Sequence, residues 1–390
     1  MDYPGRLIAG KYELVSIAGQ GGMAVVWKAL SRGAGSFRKW VAVKRIVAAK
    51  KSDRHFLQMF EEEARLGAEL AHPNIVQILD FGRDEEEEPY LVMEWIEGVD
   101  LYQWIRSFER VRERTPWPVV VGIGIEVLRA LNAAHERIGR DGQPAPVYHR
   151  DISPSNILLD YRGIVKLSDF GLARAMDRAA MTQPNVFKGK LAYCAPELTR
   201  GAKPSVQSDL FGLGVVLWES LAQRRLFSGA NDIEVLLAIR KSQIPAISNI
   251  RPDVPALLDA IIAKATAAHP FQRFASAREM GKNLSAVLQS HATLFDVEML
   301  GNSVRLAMAR LGKSIEAEGV ALKDGLPQAN EEEVLSVTSE MVQEVENESE
   351  GAAQRETRQG IPLRGLWRTE EGSSVIGPDF AQNDPKKIDG

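Results

Sequence analysis

His149-Arg150-Asp151-Ile152-Ser153-Pro154-Ser155-Asn156, followed thirteen residues after Asn156 by Asp169-Phe170-Gly171, carries more chemistry than any other stretch of this chain. An aspartate, an asparagine a short turn later and a second aspartate form an oxygen-donor set suited to phosphoryl transfer. Asp151 is placed to accept the proton of an attacking hydroxyl, and Asn156 and Asp169 to hold metal ions against the transferring phosphate. Upstream, Val41-Ala42-Val43-Lys44 puts a lysine inside an apolar, β-branched run. Burying that ammonium unpaired is costly, so it calls for phosphate oxygens and a carboxylate partner. The helical stretch that follows offers Glu61, Glu62 and Glu63, and a run of glutamates on a helix is ordinarily a solvated face. Further upstream, Gly19-Gln20-Gly21-Gly22 lies between two expected strands. Glycines there let backbone amides close over triphosphate oxygens; a tight hairpin turn is the plain alternative. A dinucleotide-binding turn would be followed by a helix, which this one is not.

Bulk properties narrow the class. The chain has 390 residues, 45% hydrophobic and 26% charged, as in an ordinary globular protein. A net charge of -4 argues against nucleic-acid binding through a broad basic field. The one cysteine, Cys194, excludes an intrachain disulfide and fits a reducing compartment, and six scattered histidines show no zinc spacing. No signal peptide is read at the N-terminus, and the longest apolar run, Val119 to Ile125, stops at Glu126. A cytoplasmic protein without a membrane span is expected.

Periodicity predicts strands over 12–18, 24–29 and 40–47, a helix over 54–70, and strands over 75–81 and 90–95 around an acidic tip, Glu85 to Glu88, read as solvated. After Gly98 the pattern turns helical, with segments at 119–136, 206–222, 231–241, 254–268 and 276–290. This is an α+β arrangement of two lobes. The insert Arg137 to Pro146 is expected to be a surface excursion. A further helical stretch at 291–324 would carry Leu294, Val297, Leu300, Val304, Leu306 and Leu311 as its stripe. Residues 325–390, with eight glutamates and no Lys or Arg between Glu331 and Glu350, read as a disordered tail.

Taken in order, the glycine turn, strand lysine, helix glutamate, His-Arg-Asp…Asn, Asp-Phe-Gly and Ala195-Pro196-Glu197 make the chain resemble the bacterial, eukaryotic-like (Hanks-type) serine/threonine protein kinases, most closely a myxobacterial subgroup. The resemblance runs from residue 12 to about 285, and implies a kinase domain over 12–290 with lobes at 12–97 and 98–290 after an N-terminal extension, 1–11. It implies ATP and Mg²⁺ (or Mn²⁺) as cofactors and proteins as substrates. It selects Glu63 as the partner of Lys44, and Ala18, Gly19, Gln20, Gly21 and Gly22 as the phosphate loop. Met93 takes the gatekeeper place, the backbone of Glu94 and Ile96 faces the adenine edge, and Val26, Ala42 and Leu158 enclose the ring. Those apolar side chains would be core even without a nucleotide. Asp100 falls where the family contacts ribose or a basic substrate residue. Asp209 is expected to anchor the catalytic loop, and Arg273 to pair with Glu197.

Two departures accompany the resemblance. The family's lysine two residues after the catalytic aspartate is Ser153 here, and its Gly-Thr before Ala-Pro-Glu reads Gly189-Lys190. Lys190 is expected to supply the missing cation, with Ser153 as its hydroxyl partner; plain solvent exposure with weakened catalysis is the alternative. Arg150 implies control by a phosphate on the activation segment. Between Gly171 and Ala195 the hydroxyls are Thr182 and Tyr193, which leaves Thr182 as the autophosphorylation candidate. The competing readings are a pseudokinase or nucleotide-gated scaffold, supported only by Ser153, and a small-molecule kinase, disfavoured by the long activation segment. Ser336, Thr338, Ser339, Ser349 and Thr357 in the tail could be substrates, or the tail could dock a scaffold or support a homodimer.

Overall fold

The structure, a computed structural model, describes residues 2–22, 24–47, 54–170, 191–291 and 295–314. The N-lobe is a six-stranded antiparallel sheet ordered β1-β2-β3-β4-β6-β5. Its strands are β1 Leu7–Ile8, β2 Tyr12–Gln20, β3 Ala24–Arg32, β4 Arg38–Ile46, β5 Ile78–Arg83 and β6 Pro89–Glu94, with helix α1 Arg54–Glu69 between β4 and β5. Alternation along β4 sorts its side chains. Val41 and Val43 join Ile8, Tyr12, Leu14 and Trp27 in one buried cluster. Ala42 and Ile46 join Phe60 and Ala64 of α1 in another. Lys44, two residues from each of these, therefore points at α1.

The C-lobe holds a second sheet, β7 Gly98–Asp100, β8 Ile157–Asp160 and β9 Val165–Leu167, in the order β7-β8-β9. Its helices are α2 Leu101–Arg110, α3 Trp117–His135, α4 Val206–Ala222, α5 Asp232–Lys241, α6 Ala256–Ala265, α7 Ala277–Ser290 and α8 Val297–Arg310. Among the described residues α3 alone is long and apolar enough to cross a membrane by length and composition, because as a helix it runs past Glu126. It is nevertheless mostly interior: Val121, Val127, Ala130, Leu131 and Ala134 are fully buried, and Gly124 lies against Leu217 of α4 and Leu284 of α7. Glu126 pairs with Arg129 at 2.6 Å on its outer face.

Three features depart from the sequence expectation. The acidic tip is solvated over Glu85, Glu86 and Glu87, but its base is not: Asp84, fully buried, meets Arg45 at 2.5 Å, Glu88 meets it at 3.0 Å, and Arg6 reaches Asp84 at 3.2 Å. Strand β1 lies within residues 1–11 and pairs with β2. On α8 the buried stripe is Leu300, Val304, Ala307 and Met308, whereas Val297 and Leu306 are exposed. At 100° per residue Leu306 lies nearly opposite Val304, so it cannot share that face. Leu294 and the stretch 325–390 lie outside the described residues.

Candidate active site

Lys44 Nζ donates to Glu63 Oε1 at 2.7 Å and to Asp169 Oδ1 at 2.6 Å. Both Lys44 and Glu63 are 3% exposed. Burial alone would lower the ammonium's pKa, but the two carboxylates outweigh it and hold the group above its ordinary value. Burial, with the neighbouring Asp169 charge, carries the Glu63 carboxyl up to about 7 against the pull of Lys44. Both carboxylates bond Lys44, and Glu63 Oε2 is buried with no hydrogen-bond partner among the described residues. Asp169 thus presents a carboxylate beside the lysine, where a divalent cation would be held.

The β8–β9 hairpin sets the spacing of the two candidate metal residues. Its register pairs Ile157 with Leu167, so the residues just outside, Asn156 and Ser168, are neighbours: Ser168 N donates to Asn156 O at 2.9 Å. Asp169 follows directly, in the left-handed region at φ 62°. Asn156 Nδ2 donates to Asp151 O at 2.7 Å and to Asp151 Oδ2 at 3.0 Å. Its nitrogen is thus spent on orienting Asp151, which leaves its amide oxygen as the atom to offer a cation. Asn156 and Asp169 together fit an oxygen-ligated Mg²⁺.

The loop carrying Asp151 is held from below. Asp209, near the start of α4, accepts from the backbone of His149 (Oδ2, 2.9 Å) and of Arg150 (Oδ1, 2.9 Å), and lies 2.8 Å from His135 Nε2. That clamp stabilises Arg150 at φ 69°, a conformation that is costly for a non-glycine residue. Fully buried His149 receives Asp151 N–H on Nδ1 at 3.2 Å and contacts Ser168 O through Nε2 at 2.8 Å, a pattern that assigns the proton to Nε2. Burial lowers its pKa, which keeps the ring neutral. On the far side Arg273 forms a two-pronged pair with Glu197, at 2.7 and 2.8 Å.

The apolar residues expected around an adenine are brought together. Ala42 and Met93 are members of one cluster, with Val26, Ile96 and Leu158 packed against it. Glu94 ends β6, and Ile96 lies between β6 and β7, outside either strand. Asp100 opposes Leu158 in the β7–β8 register, and its carboxylate caps α2 by accepting from Gln103 N at 2.7 Å. Ala18, Gly19 and Gln20 are the exposed end of β2, and Gly21 and Gly22 follow in the turn towards β3. Among the described residues, neither Gly19 nor Gly22 has an atom within 4 Å of where a Cβ would stand, and none of the three glycines adopts positive φ. Ser153 is buried, and its hydroxyl lies 3.2 Å from that of Ser155. Lys190, Lys188, Gly189 and Thr182 lie outside the described residues. Tyr193 is buried with its hydroxyl on Glu219 at 2.7 Å and bonded to Arg225 as well.

Sequence reading missed a second contact on α1. Glu69, at its C-terminal end, is bonded to Arg137 in the insert before the catalytic loop. Arg137 also donates to Ala145 O at 2.9 Å, so the insert is a surface excursion, as expected, that is pinned at its base. The signal was a charged residue beside Gly and Pro, which by itself does not distinguish a pinned loop from a solvated one.

The protein kinase domain family matches residues 12–282, and this chain belongs to that family. It is similar to the tyrosine-protein kinase MasK of Myxococcus xanthus, 42% identical over 282 residues, covering 72% of this chain and 44% of that protein. It is also similar to the serine/threonine-protein kinase PrkC of Bacillus subtilis, 31% identical over 335 residues, covering 86% and 48%. The chain spans a little under half the length of these two relatives. Among solved structures, the kinase domain of Mycobacterium tuberculosis PknI matches with a TM-score of 0.55 and 28% identity, covering 74% of this chain and 99% of that one. Two-lobed architecture and bacterial relatives agree with the resemblance drawn from the motifs.

Proposed function

We propose that this chain is an ATP- and Mg²⁺-dependent protein kinase that transfers the γ-phosphate to serine and threonine hydroxyls. The observation that carries the reading is Lys44 joined at once to Glu63 and Asp169, with Asn156 directed at Asp151. In the transfer, the substrate hydroxyl oxygen bonds to the γ-phosphorus as the bond to the β-bridging oxygen breaks. The hydroxyl proton passes to Asp151, and the leaving electron pair stays on ADP. Mg²⁺ held by Asn156 and Asp169 would neutralise charge on the phosphates. Lys44 orients the phosphate oxygens while Glu63 fixes Lys44. The glycine turn supports the same reading: neither backbone conformation nor crowding within the protein demands glycine there, which points to a ligand that must come close.

Lys190 from the activation segment would supply the cation missing at Ser153, and Arg150 would receive a phosphate on Thr182. A tyrosine-directed activity is the second reading, favoured by the similarity to MasK, whose name specifies tyrosine. Matched peptides carrying one Ser, Thr or Tyr acceptor, assayed with purified protein, ATP and Mg²⁺, test both. Transfer to Ser and Thr at least tenfold faster than to Tyr supports the first reading. Transfer confined to Tyr supports the second, and none to any acceptor contradicts both. In the same assay Lys190→Ala should lower turnover more than tenfold; a change within a few-fold of wild type would remove Lys190 from the mechanism.

A further inference from the structure

Helix α1 carries Glu63 and ends at Glu69. It packs on the N-lobe sheet through Phe60 and Ala64, whereas Leu70, just past the helix, is buried in the C-lobe core. Glu69 adds a polar anchor at that end: its Oε2 bonds Arg137 Nη2, and the two side chains are only 17% and 16% exposed. Arg140 also comes within 3.8 Å of Glu69, but at 90% exposure that pair contributes little. Arg137 is held ready for its contact. It opens a hairpin in which Ile138 bridges to Pro144. It also closes that hairpin twice, since Ala145 N donates to Arg137 O at 2.9 Å and Arg137 Nη1 donates to Ala145 O at 2.9 Å. A guanidinium fixed in this way gives up little further freedom in bonding Glu69. His135, two residues earlier, lies 2.8 Å from Asp209, which holds the loop of Asp151. One short stretch therefore touches both the support of the catalytic loop and the helix that bears Glu63.

We propose that Arg137 is a positioning residue: through Glu69 it holds α1 where Glu63 reaches Lys44. A helix rises about 1.5 Å per residue, so Glu69 acts on Glu63 from about 9 Å away along one stiff element. The inference rests on the kinase reading above, and it makes turnover depend on an insert that touches none of the reacting atoms.

Turnover of the acceptor peptides by the full chain, with ATP and Mg²⁺, tests this in wild type, Arg137→Gln, Glu69→Gln and the double variant. Each single change should lower kcat about tenfold, and the double variant should lose no more than either alone, because both remove one contact. In a Glu63→Gln background Arg137→Gln should cause no further loss, whereas a merely structural role would lower the residual rate again. Hydrogen exchange in Arg137→Gln should quicken across α1 and not in the C-lobe helices. Unchanged kcat in Arg137→Gln, additive losses in the double variant, a further loss in the Glu63→Gln background, or exchange quickened throughout the chain would each overturn the proposal. No transfer by wild type would instead overturn the kinase reading, a result distinct from failure of Arg137 alone.

Discussion

Lys44 bonds two carboxylates at once, and the buried one, Glu63, makes the site sensitive to pH. Glu63 carries a folded-state pKa of about 7 against an ordinary 4.5, because of its burial. The native state therefore holds this proton more tightly than the unfolded chain. Its stabilising contribution is complete below about pH 4.5 and is lost as pH rises through 7. Activity should move the other way, since only ionised Glu63 fixes Lys44. The pH profile of kcat/KM should rise through about 7, and Glu63→Gln should lose that limb along with most of the rate; an unchanged limb would assign it to another group. Arg273 makes a second residue-scale case. Its side chain is fully buried on Glu197, so Arg273→Ala should cost about 3–5 kcal/mol in denaturant unfolding, the magnitude for breaking a buried pair. A loss under about 1 kcal/mol would mean that the pair adds little.

At the scale of elements, the β8–β9 hairpin explains how Asn156 and Asp169, thirteen apart in sequence, are brought together: its register returns the chain to Asn156 one residue before Asp169. None of this was legible from periodicity, because strands of three and four residues are too short to show alternation. The motif residues were legible because their chemistry is tied to type and order. Long elements such as α1, α3 and α4 were legible as well, since a sustained apolar stripe survives local exceptions. Arg45 was hidden for the opposite reason: a charge in an apolar strand gives no sign of which face it takes, or that Asp84 waits there. Helix α8 was expected, but its facing was only half right, with Leu300 and Val304 inward and Leu306 outward. Leu300→Ala should therefore cost about 2–5 kcal/mol by chemical denaturation. Leu306→Ala should stay within about 0.5 kcal/mol. Equal losses would place the stripe elsewhere.

Across residues 2–314 the described structure ties its two lobes together around the site. Lys44 of the N-lobe sheet reaches Asp169, Glu69 of α1 reaches Arg137 ahead of the catalytic loop, and Asp209 of α4 fixes the loop itself. The phosphoryl transfer proposed for such a frame would rest on positioning and electrostatics, with no covalent intermediate. The most direct test is incubation of purified protein with Mg²⁺ and γ-labelled ATP, beside Asp151→Asn and Thr182→Ala, with phosphosites mapped by mass spectrometry. The account predicts label in wild type, on Thr182 among other sites, and a rate lower by about 10²–10⁴ in Asp151→Asn with ATP binding retained. Equal labelling of wild type and Asp151→Asn, or ATP bound by wild type with no transfer at all, would contradict it.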